Sequence, residues 1–144
     1  MNSLFATGQN DMAGYSSTPL VKKLGIKAGS TAIILNAPPT FSQELKLPTD
    51  IVLNPSSTKA IDFALLFAKD EKELRKRFAK LAGRLDRAGM LWIAWPKKSS
   101  GIKTDLSFAN VQAIGLDAGM VDTKICAIDD IWSGLKFVYR LKDR

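Results

Sequence analysis

The chain has 144 residues, of which 46% are hydrophobic and 24% charged, a balance typical of one globular domain with a single core. It contains no histidine, which excludes Ser-His and Cys-His catalysis and histidine metal sites. Its one cysteine, Cys126, excludes an internal disulfide and a cysteine-built metal site, and its place in a predicted strand favours a buried thiol over a nucleophile. No apolar run reaches the roughly 18 residues that a membrane-crossing helix needs.

The chain is expected to begin with a flexible extension and a short helix. Residues 1–11 have neither a positive charge nor an apolar segment, and Met12 is a second possible start, so this stretch is predicted to be an extension. Thr18 is suited to the N-cap of a helix over residues 19–24, and Gly25 is suited to its end.

Three strands are predicted in the next part of the chain. The apolar run at residues 31–36 and the one at residues 60–67 indicate strands buried on both faces. Between them, a one-turn helix beginning at Thr40 or Ser42 precedes a brief strand at residues 51–53.

The most strongly marked element is a helix that follows the strand at residues 60–67. Asp70 and Glu73 have the spacing of a capping box, and Gly89 is predicted to end the helix. Its apolar side carries residues at spacings of four, three and four, namely Leu74, Phe78, Leu81 and Leu85.

The C-terminal half predicts a strand at residues 90–95, a helix at 107–119 and strands at 121–128 and 135–141. The connection between the last two strands is too short for a parallel crossover, so they are expected to be antiparallel neighbours. Alternating strands and helices indicate an α/β fold, a three-layer Rossmann-like sandwich with a mostly parallel sheet and a C-terminal antiparallel β-hairpin. Residues 12–144 are predicted to form one domain.

The net charge of +7 comes from 21 Lys and Arg residues against 14 Asp and Glu residues. Many of the bases lie on the helix after Asp70, where acids are concentrated in the first turn and bases later, as the helix dipole favours. The pattern is typical of a solvated helix face, and the alternative is a surface for phosphate groups or nucleic acid. The candidate partner residues on this helix are Lys76, Lys80 and Arg84.

The order of elements resembles a shortened class I S-adenosylmethionine-dependent methyltransferase. Residues 24–29 are similar to that family's lead-in to strand one, residues 61–66 to its fourth strand and residues 89–93 to its fifth. The resemblance implies a Rossmann-like frame, a glycine-rich loop after strand one and an acidic residue after strand two that binds the cofactor's ribose. This chain has Asn-Ala-Pro-Pro at residues 36–39 and Asn54 at these places. No cofactor and no catalytic residue are therefore predicted.

A second resemblance covers nearly everything from Met12 onward. Residues 14–20, 91–98 and 132–136 resemble an uncharacterised bacterial family, the domain of unknown function numbered 3052. This family implies no established activity.

Ligands of open α/β sheets bind at the carboxyl ends of the strands, where the loops after residues 36, 67 and 95 are expected to converge. The two lysines, hydroxyls and glycine after Trp95 suit an anion, and the alternative is an exposed loop. The candidate ligand-binding residues are Asn36, Ala37, Pro38, Asp62, Trp95, Lys97, Lys98, Ser99, Ser100 and Gly101.

Two further groups have alternative interpretations. Trp132 and Ser133 are expected in the hairpin turn, where they cap the open end of the sheet or contact a partner. Asp62 and Asp105 are the carboxylates to consider for acid–base chemistry, although capping is the commoner role beside a strand or helix start.

The function predicted from the sequence is a non-catalytic binding or regulatory module that holds an anionic small molecule or a protein. The alternatives are an atypical S-adenosylmethionine- or nucleotide-dependent enzyme and a basic protein associated with nucleic acid. No membrane partner and no metal are expected, and a cytoplasmic location is the default expectation. The oligomeric state is left open.

Overall fold

The computed structural model describes residues 19–56 and 60–144, which form a six-stranded sheet with helices on both faces. The strands are β1 (Thr31–Leu35), β2 (Val52–Leu53), β3 (Ile61–Phe67), β4 (Leu85–Pro96), β5 (Met120–Ala127) and β6 (Trp132–Tyr139). The helices are α1 (Leu20–Leu24), α2 (Pro39–Glu44), α3 (Glu71–Arg84) and α4 (Phe108–Asp117), with single 3-10 turns at Lys98–Ser100 and Leu141–Asp143. Within the described residues, no helix is long and apolar enough to cross a bilayer.

The sheet has the strand order β2-β1-β3-β4-β6-β5. The first four strands in that order run parallel to one another, whereas β6 is antiparallel to both β4 and β5. The predicted α/β fold class is confirmed, including the mostly parallel sheet and the antiparallel C-terminal pair. Because β1, β2, β3 and β4 run in the same direction, the loops that follow them lie at one edge of the sheet, which we call the carboxyl edge.

The core consists of two layers, one on each face of the sheet. Helices α3 and α4 cover one face and helices α1 and α2 the other. Strand β3 supplies both layers, because Leu66 points to α3 and α4 while Phe63 and Leu65 point to the opposite face. The indole N–H of Trp92, which is fully buried, donates to the carbonyl of Leu24 at 2.8 Å and so fixes α1 on the sheet.

The structure corrects the predicted end of the long helix. Helix α3 ends at Arg84, and Leu85 begins β4, where it pairs with Ile61. The Asp86 carboxylate accepts a hydrogen bond from the Ala88 N–H at 2.9 Å in a local bend, and the ladder shifts register between Ile61 and Phe63. The helical spacing of apolar residues in the sequence includes Leu85, but in the structure Leu85 pairs with Ile61 of β3 and belongs to β4.

The structure also corrects the start of the hairpin's second strand. Strand β6 begins at Trp132, earlier than predicted, and ends at Tyr139, before the exposed Leu141. The Asp129 carboxylate accepts from the backbone N–H groups of Ile131 and Trp132, both at 2.8 Å, and so closes the turn before β6. Trp132 and Ser133 are therefore strand residues and not turn residues.

The N-terminal predictions fall largely outside the described residues. The flexible extension over residues 1–11 and the N-cap role of Thr18 both lie there. Helix α1 follows Pro19 and ends at Gly25, whose φ of 83° is the left-handed conformation that glycine adopts without strain.

Candidate functional site

At the carboxyl edge, the chain turns directly from β1 into α2. Strand β1 ends one residue earlier than predicted, because Asn36 has a left-handed backbone conformation with a φ of 61°. The side-chain amide of Asn36 donates to the Phe67 carbonyl at 3.5 Å. Pro38 then precedes α2, whose first residue is Pro39. Because Pro39 has no N–H, the start of α2 presents fewer free donors to an anion than a glycine-rich loop does.

Beside this turn lies a pocket of about 330 Å³, which we call the edge pocket. Its lining residues are Ile34, Asn36, Ala37, Phe41, Leu45, Leu47, Leu53 and Asn54. None of these side chains is titratable. The edge pocket therefore suits a neutral group better than an anion.

Asn54, at the place of the acidic residue that the methyltransferase resemblance implies, is bonded to β1. The side-chain oxygen of Asn54 accepts from the Ile34 N–H at 2.8 Å. The backbone N–H of Asn54 donates to the Ala32 carbonyl at 2.7 Å. These bonds continue the β1–β2 ladder past the end of β2. The Asn54 side chain, which stands where the methyltransferase resemblance implies a ribose-binding acid, is thus already hydrogen-bonded to β1.

The acidic residues after β3 and before α4 cap α3. The Asp70 carboxylate accepts from the Glu73 N–H and the Asp105 carboxylate from the Glu71 N–H, each at 2.8 Å. Together they satisfy two of the free N–H groups in the first turn of α3. Asp105 therefore has the capping role that the sequence offered as the alternative to acid–base chemistry.

The loop after β4 reaches the same edge but is closed by its own hydrogen bonds. The Ser100 hydroxyl donates to the Lys97 carbonyl at 2.6 Å and accepts from the Ile102 N–H at 3.2 Å. Gly101 ends the 3-10 turn with a φ of 76°, while Lys98 and Ser99 are exposed. Neither lysine of this loop lines the edge pocket.

Trp95 and Trp132 are core residues. Trp95 is 5% exposed and packs in the layer under α3 and α4, so it is not a wall for a ligand at the loop. Trp132 is also 5% exposed and meets Phe67 edge to face, with ring centroids 5.0 Å apart. Ser133 is half-buried and pairs with Trp95 in the ladder. Trp132 therefore belongs to the core layer on the α1 and α2 face of the sheet.

Asp62 lies at the opposite edge of the sheet. It is the second residue of β3, about 17 Å along the strand from its carboxyl end, and its carboxylate accepts from the Thr31 N–H at 2.9 Å. The structure therefore does not bring Asp62 together with Asn36 and Lys97. No pocket is therefore lined by all three of these candidate residues.

A second pocket, of about 340 Å³, lies between α3 and β1 on the opposite face of the sheet from α2; we call it the basic groove. Its lining residues are Ile33, Leu35, Asn54, Pro55, Arg77, Lys80, Leu81 and Arg84. Lys80 and Arg84 were predicted as partner residues, but the apolar floor was not. Lys76 lies outside the groove, with Lys72 and Glu73.

The other bases do not continue this groove. Lys97 and Lys98 follow β4, whereas Arg84 and Arg87 lie at its start, roughly 30 Å away along the strand. The Arg87 guanidinium lies over the Tyr139 ring, 4.6 Å from its centroid. Along α3 itself the bases form one row, because Arg77 and Lys80 line both the basic groove and a neighbouring pocket that includes Lys72 and Lys76.

Cys126 is half-buried in β5. Burial raises the pKa of its thiol above the ordinary value, although Lys23 and Lys124 act in the opposite direction. The protonated thiol is a poor nucleophile, in keeping with a structural role. Among residues 19–56 and 60–144, no three acidic, cysteine or histidine side chains are placed to hold a metal ion.

Solved structures of methyltransferases share this fold. Magnesium protoporphyrin IX methyltransferase from Synechocystis PCC 6803, with bound S-adenosylhomocysteine, is similar with a TM-score of 0.56 at 10% identity, over 84% of this chain and 78% of that one. An S-adenosylmethionine-dependent methyltransferase from Aquifex aeolicus is similar with a TM-score of 0.57 at 13% identity, over 82% of this chain and 86% of that one. The chain has a methyltransferase-like Rossmann fold.

Two further comparisons give no match: no protein-family model matches the chain, and neither does any curated protein. At 10–13% identity, the structural likeness establishes the fold alone.

Proposed function

We propose that this chain is a non-catalytic binding or regulatory module built on a methyltransferase-like frame. The observation that carries the proposal is the edge pocket. It lies at the carboxyl ends of β1 and β2, where open α/β sheets bind their ligands, and its eight lining residues include no charged group.

The chemistry of S-adenosylmethionine explains why a neutral pocket argues against it. The cofactor carries a sulfonium cation, an amino group, a carboxylate and two ribose hydroxyls, and burying such groups without partners costs several kcal/mol. Asn54 already uses its amide oxygen on β1, and Asn36 directs its amide towards the Phe67 carbonyl. The pocket thus offers few free polar groups to this cofactor.

An enzyme with an unusual cofactor mode is the second candidate. It is favoured by the position of the edge pocket and by its volume of about 330 Å³, which is within the range of small-molecule sites. Against it stand the absence of histidine from the sequence and the use of Asp70 and Asp105 as helix caps.

Other features of the proposal rest on the sequence. The residues quoted above support membership of the uncharacterised bacterial family, and a cytoplasmic location is part of the same proposal. An association with nucleic acid is a further alternative, which the net charge of +7 and the row of bases along α3 support.

The test is a calorimetric titration of the full chain with S-adenosylhomocysteine. The proposal predicts no saturable heat at millimolar ligand, under conditions in which an authentic methyltransferase of this fold gives micromolar binding. Saturable binding that Asn36→Ala abolishes would overturn the proposal. Asp62→Asn is the matched control, because Asp62 lies at the opposite edge of the sheet and should leave any such binding unchanged.

A further inference from the structure

Four of the bases on α3 recur at every fourth residue and so lie in one line along the helix. They are Lys72, Lys76, Lys80 and Arg84, which we call the basic row. At about 1.5 Å per residue the row is about 18 Å long, with about 6 Å between neighbouring positions. The three lysines are exposed, so the row faces solvent along most of its length.

The acidic residues at the start of α3 are held by groups outside the basic row. Glu71 pairs with Arg75 at 3.1 Å. Glu73 pairs with Arg77 at 3.5 Å, and its backbone N–H donates to the Asp70 carboxylate. Among the ion pairs of the described residues, none includes a lysine of the basic row. The charges of these three lysines are therefore left for a partner.

Further bases lie where α3 ends, around Tyr139. The Tyr139 hydroxyl donates to the Ala82 carbonyl, which fixes the ring at the end of this helix. The Arg87 guanidinium lies over the ring, 4.6 Å from its centroid, and the Arg144 Nε donates to the Tyr139 carbonyl at 2.9 Å. Because Arg87 follows Arg84 by three residues, these bases add positive charge beyond the C-terminal end of the basic row.

The basic row is complementary to the phosphate backbone of a nucleic acid. A duplex carries one phosphate per about 3.4 Å of each strand, so about five phosphates of one strand lie alongside 18 Å of helix. Unpaired bases are usually held by stacking on aromatic side chains, but α3 has no exposed aromatic residue and none lines the two pockets beside it. A duplex therefore suits the row better than a single strand.

The composition of α3 favours a partner that is recognised by its charge alone. The helix has no Ser, Thr, Asn or Gln side chain that could hydrogen-bond to a base edge or to a ribose 2′-hydroxyl. Lysine contacts to phosphate fix a protein on a duplex but carry no information about its sequence. These two facts favour DNA over RNA and predict binding that is independent of sequence.

We infer that the basic row binds the phosphate backbone of duplex DNA without reading its sequence. The lysine ammonium groups donate charge-assisted hydrogen bonds to phosphate oxygens, and Arg84 and Arg87 extend the contact along the same strand. None of these residues lines the edge pocket, so this activity is additional to the proposed binding function and lies on a separate surface.

The experiment is a titration of a fluorescein-labelled DNA duplex with the full chain, followed by fluorescence anisotropy. A duplex of about 20 base pairs exceeds the length of the row. With about four phosphate contacts, raising the salt concentration from about 50 to about 200 mM should weaken binding on the order of a hundredfold. A second duplex of different sequence should bind with the same affinity. Absent binding, or binding that salt barely changes, would overturn the inference.

Neutral variants assign the binding to the basic row. Lys76→Gln with Lys80→Gln removes two of about four phosphate contacts, so it should weaken binding at low salt at least about tenfold and halve the salt dependence. Lys76→Arg with Lys80→Arg keeps both charges and should bind as the unaltered chain does.

The matched control removes two charges from the opposite face of the sheet. Lys22→Gln with Lys46→Gln changes exposed lysines whose chain neighbours pack in the α1 and α2 layer, so the salt dependence should be unchanged. Equal losses in the two glutamine variants would overturn the inference, because they would show attraction to net charge alone.

Other polyanions give distinct results. Tighter binding of the labelled single strand, of an RNA duplex of the same length or of polyglutamate would overturn the inference. The outcome is separable from the proposed function, because S-adenosylhomocysteine probes the edge pocket. Asn36→Ala, which alters that pocket, should leave DNA binding unchanged.

Discussion

Gly115 is a residue at which a single methyl group should disturb the whole α4 layer. A Cβ built there would lie 2.0 Å from Cε1 of Phe137, which is fully buried and meets Phe78 edge to face at 5.3 Å. Because Phe137 is held on both sides, Gly115→Ala should lower the free energy of unfolding by about 1–3 kcal/mol despite alanine's better helix propensity. Urea denaturation followed by circular dichroism measures the change.

Gly83 provides the matched control. It is an exposed helical glycine in α3, and an added Cβ meets no atom within 4 Å. Gly83→Ala should therefore raise the free energy of unfolding, by up to about 1 kcal/mol. If both substitutions changed the free energy of unfolding in the same direction, the contact with Phe137 would not determine the effect at Gly115.

At the scale of elements, α3 depends on its N-terminal caps. Asp70→Ala removes the acceptor of the Glu73 N–H and should lower the free energy of unfolding by about 1 kcal/mol. Asp70→Asn keeps an acceptor oxygen and should cost much less. The same denaturation measurement compares them, and an equal loss in both variants would attribute the effect to charge and not to the hydrogen bond.

The interiors of the elements could be predicted from the sequence, and several of their ends could not. Capping residues and apolar periodicity are local signals, which is why α3 begins where Asp70 predicts it. Its end depends on pairing between Leu85 and Ile61, and the start of β6 depends on the turn closed by Asp129. The first is a contact with a distant part of the chain, which periodicity does not reveal, whereas the second is local turn chemistry at Asp129 that the sequence analysis missed.

The same distinction applies to the sites. Sequence reasoning located Asn36, Ala37 and the bases of α3, because loops after parallel strands converge and charges on a helix are visible in its pattern. It also counted Asp62 as a ligand-binding candidate, although a strand over residues 60–67 already puts this residue near the amino end and away from the carboxyl edge. The basic groove joins residues about 45 positions apart, so no local pattern in the sequence reveals its apolar floor.

For the whole molecule, the proposed function depends on whether the chain binds the cofactor of the methyltransferases that share its fold. Thermal unfolding of the full chain with millimolar S-adenosylhomocysteine is the most direct test, because any ligand that binds only the folded state raises the Tm. At a hundred times its Kd, a ligand stabilises by about 2.7 kcal/mol, which corresponds to a rise of several degrees. We predict an unchanged Tm, whereas a dose-dependent rise of several degrees would contradict the account.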